Sequence, residues 1–135
     1  MVAPLRIAYD LDGTILGMKD GCKFFLRPGI VRKIMSLRKK GHVLILWTFG
    51  TREWWNLAKK LFPELQRLFD EVYTRDEIPP KVTRNGRAPE FVKDVRIIKA
   101  DLLVDNDPAH LRWAQRHGLA RRYILAPTVG DGVPM

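Results

Sequence analysis

The chain has 135 residues, which suffice for one domain with its own core and leave no room for a second. The formal net charge of +9 favours an anionic partner, and the longest apolar run, residues 43–47, is far too short to span a membrane. One cysteine, Cys22, excludes an internal disulfide, indicates a reducing compartment and is expected to be a small buried side chain. We therefore expect residues 1–135 to form a single, monomeric, cytoplasmic domain without a membrane span or signal peptide.

The first half of the chain predicts alternating strands and helices. In chain order, the predicted elements are a strand at 5–9, a loop or small hairpin flap at 12–27, a helix at 28–40, a strand at 43–48 and a helix at 51–62. In the second helix, Trp54, Ala58 and Leu61 are expected to face the core, and Pro63 stops the helix.

The second half continues this alternation with shorter elements. In chain order, they are a helical turn at 64–68, a strand at 71–74, a loop or hairpin at 75–91, a helical turn at 94–98, a strand at 101–104, a helix at 108–117, a strand at 123–125 and a loose tail at 128–135. Strands that alternate with helices predict a parallel α/β sheet with right-handed crossovers.

Two acids, Asp10 and Asp12, directly follow the first predicted strand and precede Gly13. Residues two apart at the end of a strand point to the same side of the sheet, and a glycine lets the backbone turn away sharply. Two carboxylates held close together repel each other, so the pair needs a cation or a proton between them. The alternative is a solvated turn, because Asp and Gly are ordinary turn residues. This segment alone leaves both interpretations open.

A second acidic segment, Asp105 and Asn106, follows the strand predicted at 101–104. In an open parallel sheet the carboxyl ends of the strands share one edge, and ligands bind where the winding direction reverses. If the two strands are neighbours, these residues meet Asp10 and Asp12 at one point. Oxygen ligands without His or Cys suit Mg²⁺, so the sequence predicts a magnesium site there.

Thr48 ends the continuous apolar strand at 43–48 and delivers a hydroxyl group to the same edge. The turn that follows and the helix amino terminus behind it expose backbone amides that favour an anion. A lysine is expected near that anion, and the candidates are Lys81, Lys93 and Lys99.

Three residues beside these segments are also typical of helix starts. Thr51 and Asp107 are predicted to cap the helices that follow them, and Pro108 suits a first helical position. Arg52 is either a substrate contact or an ordinary residue of a first helical turn.

Four segments in this order resemble the haloacid dehalogenase (HAD) superfamily of phosphatases. They are DLDGT at 10–14, LILWT at 44–48, a lysine, and LLVDND at 102–107. Within the superfamily, the chain is most similar to the branch of RNA polymerase C-terminal-domain phosphatases and NLI-interacting-factor-like proteins. The segments that carry this closer similarity are FLRPG at 25–29, LWTFGTRE at 46–53, VKDV at 92–95 and VDN at 104–106. Gly13 stands where that branch usually has Glu.

The resemblance implies a Rossmann-like three-layer sandwich with a mainly parallel sheet and no cap domain. It also implies hydrolysis of a phosphomonoester in two steps. Asp10 would attack phosphorus and form an aspartyl-phosphate, and Asp12 would serve as general acid and then as general base. Thr48 and Lys93 would bind the phosphoryl oxygens. An acid at the position of Asp12 separates phosphatases from dehalogenases, because a halide leaves without a proton.

The resemblance assigns the cofactor as well. Mg²⁺ would be held by Asp10, by the backbone carbonyl of Asp12 and by Asn106, and Asp105 would support its waters.

The substrate stays open between classes. An uncapped site suits a phosphoprotein or another bulky phosphomonoester, whereas the basic charge suits phosphate removal from nucleic-acid ends. A phosphate-binding module without activity is disfavoured because every chemical position is filled. The basic residues concentrate in two groups, which are Arg32, Lys33, Arg38, Lys39 and Lys40, and Arg112, Arg116, Arg121 and Arg122 with His110 and His117. Both groups are equally typical of solvated faces, and both histidines are expected on a helix surface.

Overall fold

The secondary structure follows the predicted order. The computed structural model describes residues 3–19, 23–86 and 88–126, so the predictions for Cys22 and for the tail at 128–135 lie outside the described residues. The elements are β1 (Arg6–Tyr9), β2 (Leu16–Lys19), β3 (Lys23–Leu26), α1 (Pro28–Lys39), β4 (Val43–Trp47), α2 (Arg52–Leu61), a 3₁₀ helix (Pro63–Arg67), β5 (Glu71–Tyr73), β6 (Lys81–Asn85), β7 (Ala88–Val92), β8 (Leu102–Asp105), α3 (Pro108–Arg116), a further 3₁₀ helix (Ala120–Arg122) and β9 (Tyr123–Leu125).

The central sheet has the strand order β5-β4-β1-β8-β9, and all of its pairings are parallel. β1 lies in the middle, where Tyr9 is paired with Leu46 of β4 and with Val104 of β8. The chain winds outward from β1 to β5 and then returns to β8 on the other side of β1. This reversal opens a crevice at the carboxyl ends of β1 and β8, the place where open α/β sheets bind ligands. The predicted parallel α/β sheet is confirmed.

The sheet is covered on both faces, as the alternation of side chains along β4 shows. Leu44 and Leu46 belong to the apolar cluster that contains α1 and α2, whereas Ile45 and Trp47 belong to the cluster that contains α3. Burial of a Leu or Ile side chain of this kind contributes about 1.5–3 kcal/mol. The three-layer arrangement is therefore also confirmed.

Across the described ranges, no helix combines the length and the apolar character needed to cross a membrane.

The inward face of α2 differs in part from the prediction. Trp55 and Ala58 are buried, and Phe62, just after the helix, packs against the same cluster. Leu61 is 55% exposed, so the prediction that it faces the core is wrong. The inward stripe follows positions 55, 58 and 62, an ordinary helical spacing, and Phe62 occupies the place predicted for Leu61. Trp54 is half-buried and lies at the edge of the cleft described below.

Both predicted helix caps are present. The Thr51 hydroxyl accepts a hydrogen bond from the Trp54 amide at 3.1 Å, and the Asp107 carboxylate accepts one from the Ala109 amide at 2.9 Å. A cap of this kind contributes about 1 kcal/mol to helix stability. The two caps fix where α2 and α3 begin, directly beside the strand ends that carry Thr48 and Asp105.

Two antiparallel hairpins occupy the segments predicted as loops or hairpins. β2 and β3 pair between β1 and α1, and β6 and β7 pair between β5 and β8. Each hairpin has a single pair of short strands, which is too little to bury a core of its own. As far as the structure describes them, neither insertion therefore builds a cap domain over the carboxyl ends of the sheet.

An ion pair at the opposite end of the sheet predicts how stability depends on acid. Arg6 contacts both carboxylate oxygens of Glu71, at 2.6 and 2.9 Å, and Tyr73 donates to the same carboxylate at 2.7 Å. The Arg6 hydrogen bond, followed by that of Tyr73, lowers the pKa of Glu71 to about 2 from 4.5. An acid whose pKa is lower in the folded state than in the unfolded state stabilises the fold at pH values above the unfolded-state pKa. This stability is lost as the pH falls from about 4.5 to about 2.

We expect the free energy of unfolding of Glu71→Gln to fall less than that of the wild type over this range. Urea titrations at a series of pH values measure the difference. Glu64→Gln, at an exposed position, is the control and should keep the wild-type acid dependence. Identical acid dependence in Glu71→Gln and the wild type would show that this carboxylate is not responsible.

Candidate active site

The carboxyl ends of β1, β4 and β8 enclose an open cleft of about 430 Å³. All of the residues predicted from the sequence as catalytic, phosphate-binding or metal-binding line it, and they are Asp10, Asp12, Thr48, Lys93, Asp105 and Asn106. The strand reversal explains this meeting, because it places the end of β8 directly beside the end of β1.

A buried lysine joins two of these acids. The Lys93 Nζ atom lies 2.9 Å from Asp10 Oδ1 and 2.6 Å from Asp105 Oδ2. The lysine is only 1% exposed, although most lysines lie on the protein surface. Two carboxylates and one ammonium leave a net charge of −1 when all three are ionised. In that fully ionised state the cluster carries a negative charge that a further cation can neutralise.

The pKa values of the three groups move in different directions. Burial, then the charge of Asp105, raises the pKa of Asp10 against the opposing effect of Lys93. Burial also favours a higher pKa for Asp105, but the Lys93 charge and the His110 hydrogen bond outweigh it and leave the pKa lowered. For Lys93, burial favours a lower pKa, and the two carboxylates outweigh it, so its pKa is raised. Both shifts favour a charged Lys93 ammonium paired with an ionised Asp105.

His110 completes this cluster, and the prediction that it lies on a helix surface is wrong. It is 3% exposed, its Nδ1 accepts a hydrogen bond from the Lys93 amide at 3.0 Å, and its Nε2 lies 3.3 Å from Asp105 Oδ2. A ring nitrogen that accepts carries no proton, so the neutral ring holds its proton on Nε2 and donates it to Asp105. A sequence signal existed, because His110 shares a helical face with Trp113 and Ala114, which are buried.

Both carboxylate oxygens of Asp105 contact other groups of the protein. Its Oδ1 accepts from the Asp107 amide at 2.9 Å, while its Oδ2 faces Lys93 and His110. In this arrangement the side chain holds the lysine in place. Its predicted role in supporting metal-bound water stays a prediction.

Asp12 contacts a residue that the sequence pattern does not connect with the site. The indole N–H of Trp54 lies 3.0 Å from one carboxylate oxygen of Asp12 and 3.1 Å from the other. Burial raises the pKa of Asp12, while Trp54 and Lys93 partly oppose this change. A raised pKa suits a group that carries a proton in one step and accepts it in another.

Thr48 lies at the end of β4 with 1% exposure, and its hydroxyl oxygen accepts from the Gly50 amide at 2.9 Å. Because that bond uses the oxygen as an acceptor, the hydroxyl proton stays available to donate. The Phe49 ring lies 5.0 Å from the Lys93 ammonium and covers it on one side. A hydroxyl donor and a buried ammonium in one cleft are suited to an anion with several oxygens.

Three oxygen-bearing groups converge between β1 and β8. They are the Asp12 backbone carbonyl, Asp10 Oδ2 and the Asn106 amide. With its nitrogen turned inward, the amide donates to the Asp12 carbonyl at 3.1 Å and to Asp10 Oδ2 at 3.2 Å. Half a turn of the amide would bring three oxygens together, which requires a cation among them. This donor set fits Mg²⁺. No group of three or more His, Cys, Asp or Glu side chains in the described parts of the chain could hold a metal, so the fit rests on this mixed set.

Gly13 allows this approach of Asn106, and its replacement should therefore damage the site. Gly13 has φ +80°, and a Cβ atom there would lie 2.4 Å from the Asn106 amide. We expect Gly13→Ala to displace Asn106 and to lower Mg²⁺ affinity at least tenfold, the range typical of a disturbed metal shell. Titration with Mg²⁺ followed by calorimetry measures the change.

Gly118→Ala is the matched control for Gly13→Ala. Gly118 also has a positive φ, +71°, but a Cβ atom there would meet no other described part of the chain within 4 Å. The two variants share the backbone strain, so only Gly13→Ala should lose metal affinity. Equal losses in both would show that strain, and not contact with Asn106, is responsible.

The remaining candidates lie elsewhere. Lys81 pairs with Asp94 at 3.2 Å, and the Lys99 carbonyl accepts from Arg6 at 3.0 Å at the far end of the sheet. Arg52 pairs with Glu77, as an ordinary residue at the start of α2. His117 is exposed and stacks on Trp113, as predicted for a helix surface.

The sheet order and the reversal beside β1 define the class of fold, which is a Rossmann-like three-layer α/β sandwich with a mainly parallel sheet. Among solved structures, the chain is similar to the fission yeast RNA polymerase II CTD phosphatase Fcp1, solved as a variant bound to beryllium fluoride. The TM-score is 0.59 and the sequence identity 17%, and the match covers 91% of this chain and 41% of that one. The chain thus spans less than half of the other protein's length. No family model and no curated protein matches the sequence. The fold predicted from the resemblance is confirmed.

Proposed function

We propose that the protein is a Mg²⁺-dependent phosphomonoester hydrolase that works through an aspartyl-phosphate on Asp10. The observation that carries this proposal is the position of Asp10, whose two oxygens face Lys93 and Asn106 in an open cleft beside Asp12. The fold shared with a phosphatase supports it.

In the first step an Asp10 oxygen forms a bond to phosphorus, the bond from phosphorus to the leaving oxygen breaks, and Asp12 gives its proton to that oxygen. In the second step Asp12 takes a proton from water, and the water oxygen displaces Asp10 from phosphorus. The product is inorganic phosphate, and both aspartates return to their starting state.

Lys93 and Thr48 supply the donors for the phosphoryl group. The ammonium sits beside the attacking oxygen, 2.9 Å from Asp10 Oδ1, and the Thr48 hydroxyl faces the same cleft. Charge on the phosphoryl oxygens in the transition state is stabilised by such fixed donors. When bound by Asp10, the Asp12 carbonyl and Asn106, Mg²⁺ would neutralise part of the phosphate charge.

For the substrate, we propose a phosphoprotein or another bulky phosphomonoester. The cleft is open, and in the described part of the chain the two insertions are short hairpins without a cap domain, which leaves room for a macromolecule. The similar fission yeast protein is a phosphatase of an RNA polymerase domain, a protein substrate. The net charge of +9 favours the second candidate, phosphate removal from nucleic-acid ends.

Hydrolysis of p-nitrophenyl phosphate tests the chemistry. We expect activity with Mg²⁺, loss of it in excess chelator and recovery when Mg²⁺ is restored. A phosphoserine peptide and oligonucleotides with 3′- or 5′-phosphates then separate the substrate classes. Higher kcat/KM on the peptide supports the first candidate. Higher kcat/KM on an oligonucleotide, with a steep fall at raised salt, would replace it with the second. Activity that persists without any divalent metal would contradict the proposed chemistry.

A further inference from the structure

The environment of Asp12 points to a residue that controls the direction of its proton. One N–H group, that of the Trp54 indole, lies within hydrogen-bond distance of both carboxylate oxygens of Asp12, at 3.0 and 3.1 Å. The indole N–H is a donor and never an acceptor. A proton on Asp12 therefore has no acceptor on the Trp54 side, and it must point away from the ring.

Trp54 is itself held from several directions. Its amide donates to the Thr51 hydroxyl at the start of α2, and its ring lies 5.3 Å from the Phe24 ring on β3. A Cβ atom on Gly50 would come within 2.8 Å of the Trp54 ring, so the glycine permits the ring to lie against the turn after β4. The indole is thus a fixed donor, held by contacts with the start of α2, with the β2–β3 hairpin and with the turn that follows Thr48.

We propose that Trp54 is the positioning residue of Asp12 and directs its acidic proton toward the leaving oxygen. This inference rests on the proposed function and extends it. With the indole N–H bonded to the carboxyl group, the free O–H is left to face the cleft. As the phosphorus–oxygen bond breaks and the Asp10–phosphorus bond forms, that proton passes to the leaving oxygen and Asp12 becomes a carboxylate, which the same N–H stabilises.

The contact itself can be tested without any activity. The chain has four Trp residues, and Trp→Phe variants assign their indole N–H signals in nuclear magnetic resonance spectra. Asp12→Asn removes the charge that the Trp54 N–H faces, so we expect the Trp54 signal to move. The signal of Trp55, which packs against Phe69, should stay in place and serves as the control. An unmoved Trp54 signal would overturn the inference.

The catalytic role is tested by the leaving group. Trp54→Phe keeps an aromatic ring against Phe24 and deletes the N–H group. An alkyl phosphate needs the acid proton, whereas p-nitrophenolate leaves almost without it. We therefore expect kcat/KM for the alkyl ester, which reports formation of the aspartyl-phosphate, to fall about 10- to 100-fold, as for a misplaced catalytic group. The kcat/KM for p-nitrophenyl phosphate should change much less.

Trp55→Phe, in the next position of α2, is the control for general damage to the helix and should not change the ratio of the two rates. An equal loss on both esters in Trp54→Phe, or no loss on either, would overturn the inference while leaving the proposed function intact. A wild-type protein that hydrolyses neither ester would overturn the proposed function and this inference with it.

Discussion

Replacing Asp10 with Asn is expected to abolish hydrolysis of phosphomonoesters, with a loss of roughly 10⁴-fold or more in kcat, as for removal of other covalent nucleophiles. Asn has nearly the same shape as Asp, but its neutral amide is a poor nucleophile and cannot hold a phosphoryl group. The loss should be accompanied by unchanged or slightly higher stability. In the wild type, Asp10 and Asp105 share one ammonium, and Asn at position 10 removes the repulsion between them.

Two measurements check this result. Steady-state hydrolysis of p-nitrophenyl phosphate gives the loss in kcat, and thermal unfolding gives the stability. Asp12→Asn is the informative comparison, because it keeps the nucleophile. With a good leaving group it should form the aspartyl-phosphate and release it slowly, so phosphorylated protein should accumulate. Asp10→Asn should show none. Phosphorylation of the Asp10→Asn protein would place the nucleophile at another residue.

The acids of the site are predictable because their positions depend on local rules. Asp10 follows one buried strand and Asp105 ends another, and parallel strands end at a common edge. The position of each acid at the end of its strand depends only on local sequence. Their meeting requires in addition that the two strands be neighbours, which a parallel α/β order already favours. The helix caps at Thr51 and Asp107 are local in the same sense.

Lys93 illustrates a limit of such rules. Its spacing and neighbours do not separate it from Lys81 and Lys99, and only the resemblance to the family selects it. In the structure, the hairpin of β6 and β7 returns the chain to the cleft, so the residue after β7 lies beside an acid 83 positions earlier. A contact over that distance is invisible to local periodicity.

His110 and Trp54 show how side-chain type misleads. The charged sequence of α3 predicts a surface histidine, although the spacing of His110 with Trp113 indicates a buried face. The sequence of α2 predicts Trp54 in the core, and its ring packs against the core cluster, but it stays half-buried whereas Trp55 is fully buried. Trp54 then meets Asp12, which lies 42 residues earlier. Both roles depend on how a helix is oriented against the sheet, which its apolar spacing alone does not fix to the single residue.

Replacing Lys93 with Met should both destabilise the protein and impair catalysis. Met keeps most of the volume but leaves Asp10 and Asp105 without the ammonium that lies 2.9 and 2.6 Å from them. Removing one partner from a buried ion pair costs about 3–5 kcal/mol, because the remaining charge is left uncompensated. Loss of a fixed donor to the phosphoryl group should also lower kcat by about 10²–10³-fold.

The stability loss should depend on pH in a defined direction. Without Lys93, the pKa values of both carboxyl groups rise, and a raised folded-state pKa of an acid disfavours the fold once the acid is ionised. Urea unfolding in the presence of chelator should therefore show a larger loss at pH 8 than at pH 5.

The double variant Lys93→Met/Asp105→Asn removes one of the two uncompensated charges and should regain part of the stability, but none of the activity. Lys39→Met, on the exposed face of α1, controls for the loss of one positive charge and should change neither property. A Lys93→Met protein as stable at pH 8 as the wild type would show that Asp10 and Asp105 do not depend on this ammonium. Such a result would remove the electrostatic basis on which the phosphoryl site is assigned.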